Sequence, residues 1–464
     1  MNFREANKTA LRVTMVWSLA LGLSVLVSVP PTLAADLPAA TQKILKELKV
    51  DASVLEGLDK ELAVPQTWID AARKEGQVRM SSTFSYQRFP KVIAAFKERY
   101  PFIKVNYARG SFQQRVTSLI IAYKQNHIPA DVVTSFGGAY RLFKQADALA
   151  NLHDLPGFNN LDSLSQSKEG DWVAFRRQYY CTAYNTNLVK ETDLPKKWTD
   201  LLDNKRWHDG KIGVANRPQL WLIMLWGREG PDYVKSYISR LYGEVKPQLR
   251  KEGINAMISL AVAGEFHMAV PASMFRTSQL AQKKAPISFH CPEPVPTFVA
   301  RMAVIKNNPH PFASKILVNW FISKEGQIAQ YAGSNAPPAH KDLQRREFLL
   351  FPDQVLGKPM APRTIELLNS EHPKLLALWN KQWSKGTGEV AEHTVKVKIN
   401  ATKRGGRLIV FYLKGKETKA RISGRRTKVL LQDKLGKRSA IKPGMSCDVT
   451  YKGDGSEAKL VSCK

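Results

Sequence analysis

The sequence lacks the short motifs that mark the common enzyme classes. It has no glycine-rich phosphate loop, no dinucleotide-binding GxGxxG, no GxSxG nucleophile elbow, no HExxH and no paired CxxC. Its nine histidines do not have the spacing of metal ligands. These absences indicate no enzyme class, and we expect no catalytic residue, no metal site and no cofactor.

Acidic residues are scarce relative to basic ones. There are 40 Asp and Glu against 70 Lys and Arg, which gives a net charge of +30. A surface of this charge favours anionic partners, which include small anions, membrane or envelope surfaces and nucleic acid.

Long apolar runs are absent except near the N-terminus. There, three basic residues precede an apolar run at 13–29, and small residues allow cleavage after about Ala34. This pattern predicts a signal peptide at 1–34 and an exported protein. The alternative is a membrane anchor, but the run is short for a span and no second one follows. Export also argues against nucleic acid as a partner.

The chain has only four cysteines, and export would allow them to form disulfides. Cys447 and Cys463 bracket two alternating strands joined by a glycine turn, so hairpin pairing brings their sulfurs together. We predict this bridge, which is worth roughly 3 kcal/mol in a small domain. Cys181 and Cys291 lie in different segments, and the sequence leaves open whether they pair.

Strand and helix patterns alternate along most of the chain, which predicts α/β lobes with doubly wound sheets. A helical extension at 35–65 precedes them. After the last tryptophan, short strands replace helices, and residues 388–464 hold 19 Lys and Arg against 7 Asp and Glu. This predicts a small, basic, β-barrel-like domain. Its basic residues alternate with apolar ones, which fits either a solvated outer face or attachment to an anionic envelope component.

Polar loops follow five predicted strands, at 81–85, 109–112, 134–138, 215–219 and 271–276. Doubly wound sheets bind ligands at such strand ends. Hydroxyl and backbone N–H groups suit an oxyanion, and arginines add charge-assisted hydrogen bonds. The predicted ligand-binding residues are Ser82, Thr83, Arg109, Ser135, Gly137, Tyr180, Asn216, Arg217, Ser273 and Arg276.

The order of segments such as "FKERYPFIKVNYARGS", "YYCTAYNTNLV" and "HPFASKILVNWFISKEGQIAQY" resembles the bacterial periplasmic solute-binding proteins of ABC importers, in the branch that includes ferric-iron binders. The resemblance covers about 66–385. It implies two lobes, one from 66–150 and 300–385 and one from 151–299, which are joined by crossover hinge strands. It also implies a monomer that hands a small solute to a membrane permease.

The resemblance departs from the iron binders at their adjacent tyrosines. In this sequence Ala272 and Ser273 stand at those positions, with Arg276 as the anchor, and neither supplies a phenolate. The adjacent Tyr179 and Tyr180 fall in the crossover strand instead. We therefore expect a small anion or an anionic metal chelate. The alternatives are a ferric-iron binder, an enzyme on the same scaffold and an envelope-binding protein.

Overall fold

The computed structural model describes residues 37–387, 392–413, 415–424, 426–451 and 454–464. The predicted signal peptide and the residues where the C-terminal domain was expected to begin lie outside this set. Within the described ranges, no helix combines the length and the apolar composition that a membrane span requires.

Fifteen α-helices are found in the described residues. They are α1 Ala39–Leu48, α2 Leu58–Glu61, α3 Gln66–Glu75, α4 Phe89–Arg99, α5 Leu119–Lys124, α6 Tyr140–Gln145, α7 Asp200–Asp203, α8 Leu222–Glu229, α9 Pro231–Arg240, α10 Ile254–Val262, α11 Met274–Ala281, α12 Pro311–Ile322, α13 Lys324–Ser334, α14 Ile365–Ser370 and α15 His372–Thr387.

Ten strands form the larger sheet. They are β1 Gln77–Ser82, β2 Lys104–Arg109, β3 Val132–Thr134, β4 Val173–Asn185, β5 Ile212–Ala215, β6 Gln248–Arg250, β7 Met268–Ser273, β8 Ile287–His290, β9 Val295–Val304 and β10 Met360–Pro362. The main path is β2-β1-β3-β9-β4-β7-β5-β6, while β10 pairs with β9 and β8 with β4.

The two longest strands of this sheet, β4 and β9, run through its middle. They pair antiparallel with each other, with Arg176 opposite Ala300 and Gln178 opposite Phe298. On one side β1 pairs parallel with β2 and β3, and on the other β5 pairs parallel with β6 and β7. The sheet is therefore two parallel groups joined by a central antiparallel pair, as crossover strands require. The predicted mixed α/β class is confirmed.

The C-terminal helix α15 packs on the half of the sheet that contains β5, β6 and β7. Leu375, Trp379 and Trp383 are buried in a core with residues of α8 and α9. The Trp379 indole also donates to Asn216 Oδ1 at 2.8 Å, just after β5. The predicted division of the chain into lobes stays a prediction.

A disulfide joins Cys181 of β4 to Cys291, which follows β8. Both residues are fully buried in the same core. The pairing that the sequence left open is therefore present, and it closes a long loop because the two cysteines are 110 residues apart.

Seven strands form a second, all-β sheet. They are β11 His393–Lys403, β12 Leu408–Leu413, β13 Lys416–Arg421, β14 Lys428–Leu431, β15 Lys434–Leu435, β16 Ser446–Tyr451 and β17 Leu460–Cys463, in the order β13-β12-β11-β16-β17-β14-β15. The predicted hairpin is confirmed, since Cys447 lies opposite Cys463 in β16 and β17 and the two form a disulfide. In β11, Lys396 and Lys398 are exposed and Val397 is buried, as the alternating pattern indicated.

Candidate ligand-binding site

A cavity of about 500 Å³ lies over the central strand pair. Its floor comes from β4 and β9, and its walls come from loops and helix starts on either side of the sheet. The lining residues are Thr83, Phe84, Ser85, Gln87, Arg88, Arg109, Ser135, Gly137, Arg176, Gln178, Tyr180, Asn255, Phe275, Arg276, Gln279, Phe298, Val299, Ala300, Arg301, Ser334 and Arg363.

Strand β4 supplies every second residue to this cavity. Arg176, Gln178 and Tyr180 line it, because side chains in a strand alternate between the two faces. Arg177 and Tyr179 point the other way: Arg177 pairs with Asp162, and Tyr179 is buried in the core. The two adjacent tyrosines therefore cannot act on one ligand.

The loops that follow β1 and β3 form one wall of the cavity and carry hydroxyl groups. The Arg176 guanidinium donates to the Thr83 hydroxyl at 3.4 Å. Ser135 has φ 54, in the left-handed region, and its N–H donates to the Arg301 carbonyl at 2.7 Å. The buried Ser135 hydroxyl has no protein partner. Such strained positions cluster where ligands are held, and this hydroxyl is free for a ligand.

Six arginines and no carboxylate line the cavity among the described residues. Burial lowers the pKa of Arg176 to about 10 and that of Arg363 to about 9. Burial and, second, the charge of Arg276 also lower the pKa of Arg88. The Nε atoms of Arg176, Arg276 and Arg363 are buried without a hydrogen-bond partner. A buried charge without compensation costs several kcal/mol, so this cavity suits an anion.

Aromatic rings contact three of these guanidinium groups, and one is that of Arg301, which lies 4.7 Å from the Trp172 ring centroid. The Arg363 guanidinium lies 3.6 Å from the ring centroid of Phe298, which stacks on Tyr180 at 5.3 Å. The Arg176 guanidinium lies 5.4 Å from the Phe84 centroid and 6.0 Å from that of Phe275. Cation–π contacts orient a guanidinium but leave its N–H groups free to donate.

The sequence of residues 82–328, more than half of the 464-residue chain, matches the family model described as bacterial extracellular solute-binding protein. The chain belongs to this family. No curated protein matches it in sequence.

Solved structures of solute-binding proteins share the fold. Iron-bound HitA from Pseudomonas aeruginosa is 20% identical with a TM-score of 0.55, and the match covers 66% of this chain and 99% of HitA. The Trichodesmium protein IdiA (FutA), in complex with iron and citrate, is 19% identical with a TM-score of 0.55, over 66% and 99% of the two chains. The ferric binding protein from Campylobacter jejuni is 15% identical, with the same TM-score and coverage. At these identities the likeness shows the fold alone.

Six of the ten residues predicted for the site of this solute-binding protein line the cavity: Thr83, Arg109, Ser135, Gly137, Tyr180 and Arg276. The other four lie outside the lining. Ser82 is buried and hydrogen-bonded to Thr134 at 2.5 Å. The Arg217 guanidinium donates to the Asn216 carbonyl at 2.7 Å. Ser273 lies opposite Tyr180 in the sheet, with its hydroxyl buried and unpartnered.

Sequence reasoning missed Arg88, Arg176, Arg301 and Arg363. The signal for Arg176 was available, because Arg176, Gln178 and Tyr180 alternate on one strand. Arg363 follows β10, where its N–H donates to the Thr297 carbonyl at 2.9 Å. No local pattern ties that distant segment to the cavity.

The lining offers few ligands for a metal ion. Tyr180 is the single phenol among the described lining residues, which include no His, Cys, Asp or Glu. The described parts of the chain also contain no group of three or more such side chains placed to hold a metal. Hard cations such as Fe(III) need several anionic oxygen donors, so this donor set fits an anion better than a bare ferric ion.

Proposed function

We propose that this protein is the periplasmic substrate-binding component of an ABC importer. It captures a small anionic solute or an anionic metal chelate between its two lobes and delivers it unchanged to a membrane permease. The family and the fold neighbours are transport-binding proteins, which supports this class. The observation that carries the choice of solute is the set of six arginines without a lining carboxylate.

A ferric-iron binder of the same class is the second candidate, because HitA and the Campylobacter protein are described as iron-binding. The donor set of the cavity supports an anion instead. An intact ferric chelate would still fit, since the arginines would then contact the anionic chelator.

The C-terminal sheet carries a second role in this proposal. Lys396 and Lys398 of β11 and Lys419 and Arg421 of β13 are exposed and basic. We assign this domain to contact with an anionic component of the envelope, separately from solute capture. Cleavage of residues 1–34 during export completes the proposed mature protein.

The decisive experiment is to purify the exported protein without denaturation and release its bound solute. Mass spectrometry and metal analysis of the released fraction should find about one anionic solute per chain, and the same solute should be recovered chemically unchanged after prolonged incubation. Arg176→Gln should retain less of it, whereas the exposed Arg345→Gln should match the parent. Stoichiometric iron without an organic anion, or conversion of the solute, would refute the proposal.

A further inference from the structure

Two arginines of the cavity, Arg176 and Arg363, lie at different levels of the central strands. Arg176 lies opposite Ala300, whereas Gln178 lies opposite Phe298, the ring that carries Arg363. Two residues of strand separate these levels, a distance of roughly 7 Å.

The two guanidinium groups also have separate surroundings. Arg176 is placed over Phe84 and Phe275 and beside the Thr83 hydroxyl. Arg363 is placed over Phe298, and its Nη1 donates to the Gln219 carbonyl at 3.2 Å. The two share neither an aromatic ring nor a hydrogen-bond acceptor, so the cavity offers two distinct guanidinium positions.

Both positions are uncompensated. Arg363 is only 7% exposed, yet its Nε has no partner. The Arg176 Nε is likewise buried and unpartnered. Tyr180, whose ring stacks on Phe298, supplies a neutral phenol because burial raises its pKa. Two positive positions therefore flank a partly aromatic stretch of the cavity.

We infer that the ligand of this cavity is an organic molecule with at least two separate anionic groups, one bound at Arg176 and Thr83 and the other at Arg363, with its body over the strand between them. Phe275 and Phe298 line the cavity and would contact that body. This inference rests on the proposed function and narrows its solute class. Inorganic phosphate and monocarboxylates would satisfy only one position.

The test compares probes with one and two carboxylates on matched bodies. The full exported chain, stripped of solute by unfolding and refolding, is titrated by calorimetry with benzoate, terephthalate, acetate, succinate and inorganic phosphate. At least one dicarboxylate should bind tenfold or more tightly than its monocarboxylate partner and than phosphate. Equal affinity within both pairs, tighter phosphate binding, or no binding of either dicarboxylate would overturn the inference.

Two variants assign the positions. Arg176→Gln and Arg363→Gln should each remove the advantage of the dicarboxylate, while Arg345→Gln at an exposed surface pair should leave it unchanged. In the ligand-free state each cavity variant should melt no lower than the parent, because it removes an uncompensated buried charge. A lower melting temperature together with lost binding in both variants would show structural roles and overturn the assignment.

A failure of the two-anion inference can be distinguished from a failure of the proposed function. Recovery of a neutral or singly charged native solute would refute the two-anion inference and leave solute capture standing. Absence of any retained solute together with no binding of any probe would refute both.

Discussion

At the scale of single residues, the alternation of side chains along β4 decides which potential metal ligands line the cavity. Tyr180 reaches the cavity and Tyr179 is buried in the core. Burial raises the pKa of Tyr180, although Arg176 and Arg363 act in the opposite direction. A neutral phenol with no anionic oxygen donor beside it among the described lining residues is a poor ligand for Fe(III).

Ferric nitrilotriacetate added to the protein should therefore produce no tyrosinate-to-iron charge-transfer band in the visible spectrum. Anionic chelate can still bind through the arginines, and calorimetry would detect that binding without the band. A band that Tyr180→Phe abolishes would contradict this prediction. The matched control is Tyr412→Phe, because Tyr412 is exposed on β12.

The residues found and missed by sequence reasoning differ in one respect. Thr83 and Ser135 follow strands directly, and Arg276 lies in the first turn of the helix after β7, so a local pattern places them at the sheet edge. Arg363 reaches the cavity from a segment about 60 residues beyond β9 by pairing of the short strand β10. Long-range pairing of a three-residue strand has no periodicity from which to predict it.

At the scale of elements, a buried carboxylate attaches the N-terminal helix to the lobe. Glu325 of α13 is 1% exposed. It accepts hydrogen bonds from Thr41 of α1 at 2.7 Å and from Trp320 of α12 at 2.8 Å. It also forms a bidentate pair with Arg99 of α4, with both distances 2.9 Å. One side chain thus holds four helices together.

Glu325→Ala should lower the free energy of unfolding by about 3–5 kcal/mol, since it breaks a buried ion pair and removes the acceptor for two further donors. Urea unfolding followed by tryptophan fluorescence measures this change. Glu47→Ala, at an exposed position on α1 that lies 4.0 Å from Lys43, should cost at most about 1 kcal/mol. Comparable losses in the two variants would disprove the role of the buried carboxylate.

Pairings between elements could be predicted from the sequence where the two elements lie close together in the chain. The Cys447–Cys463 bridge follows from hairpin register over 16 residues, which the alternation of the two strands indicates. The Cys181–Cys291 bridge spans 110 residues, and only the pairing of β4 with β8 brings the two segments together.

At the scale of the whole molecule, the two sheets have separate hydrophobic cores. The core of the C-terminal sheet is built from residues between Val397 and Cys463. The core around β5 and β7 ends with Trp383 of α15. Neither cluster includes a residue of the other. Because the cores are separate, we predict that solute binding does not depend on the basic C-terminal sheet.

Deletion of 388–464 should therefore leave solute affinity unchanged within about twofold, because every residue that lines the cavity precedes the deletion. The retained solute, measured by mass spectrometry, and the melting temperature of the remaining lobes test this expectation.

The same deletion should abolish sedimentation with vesicles of anionic lipid, since it removes 19 of the basic residues and 7 of the acidic ones. Loss of solute binding in a variant that still melts cooperatively would mean that the C-terminal sheet takes part in solute capture and would overturn this prediction. Loss of binding to both solute and vesicles would favour the envelope-binding alternative.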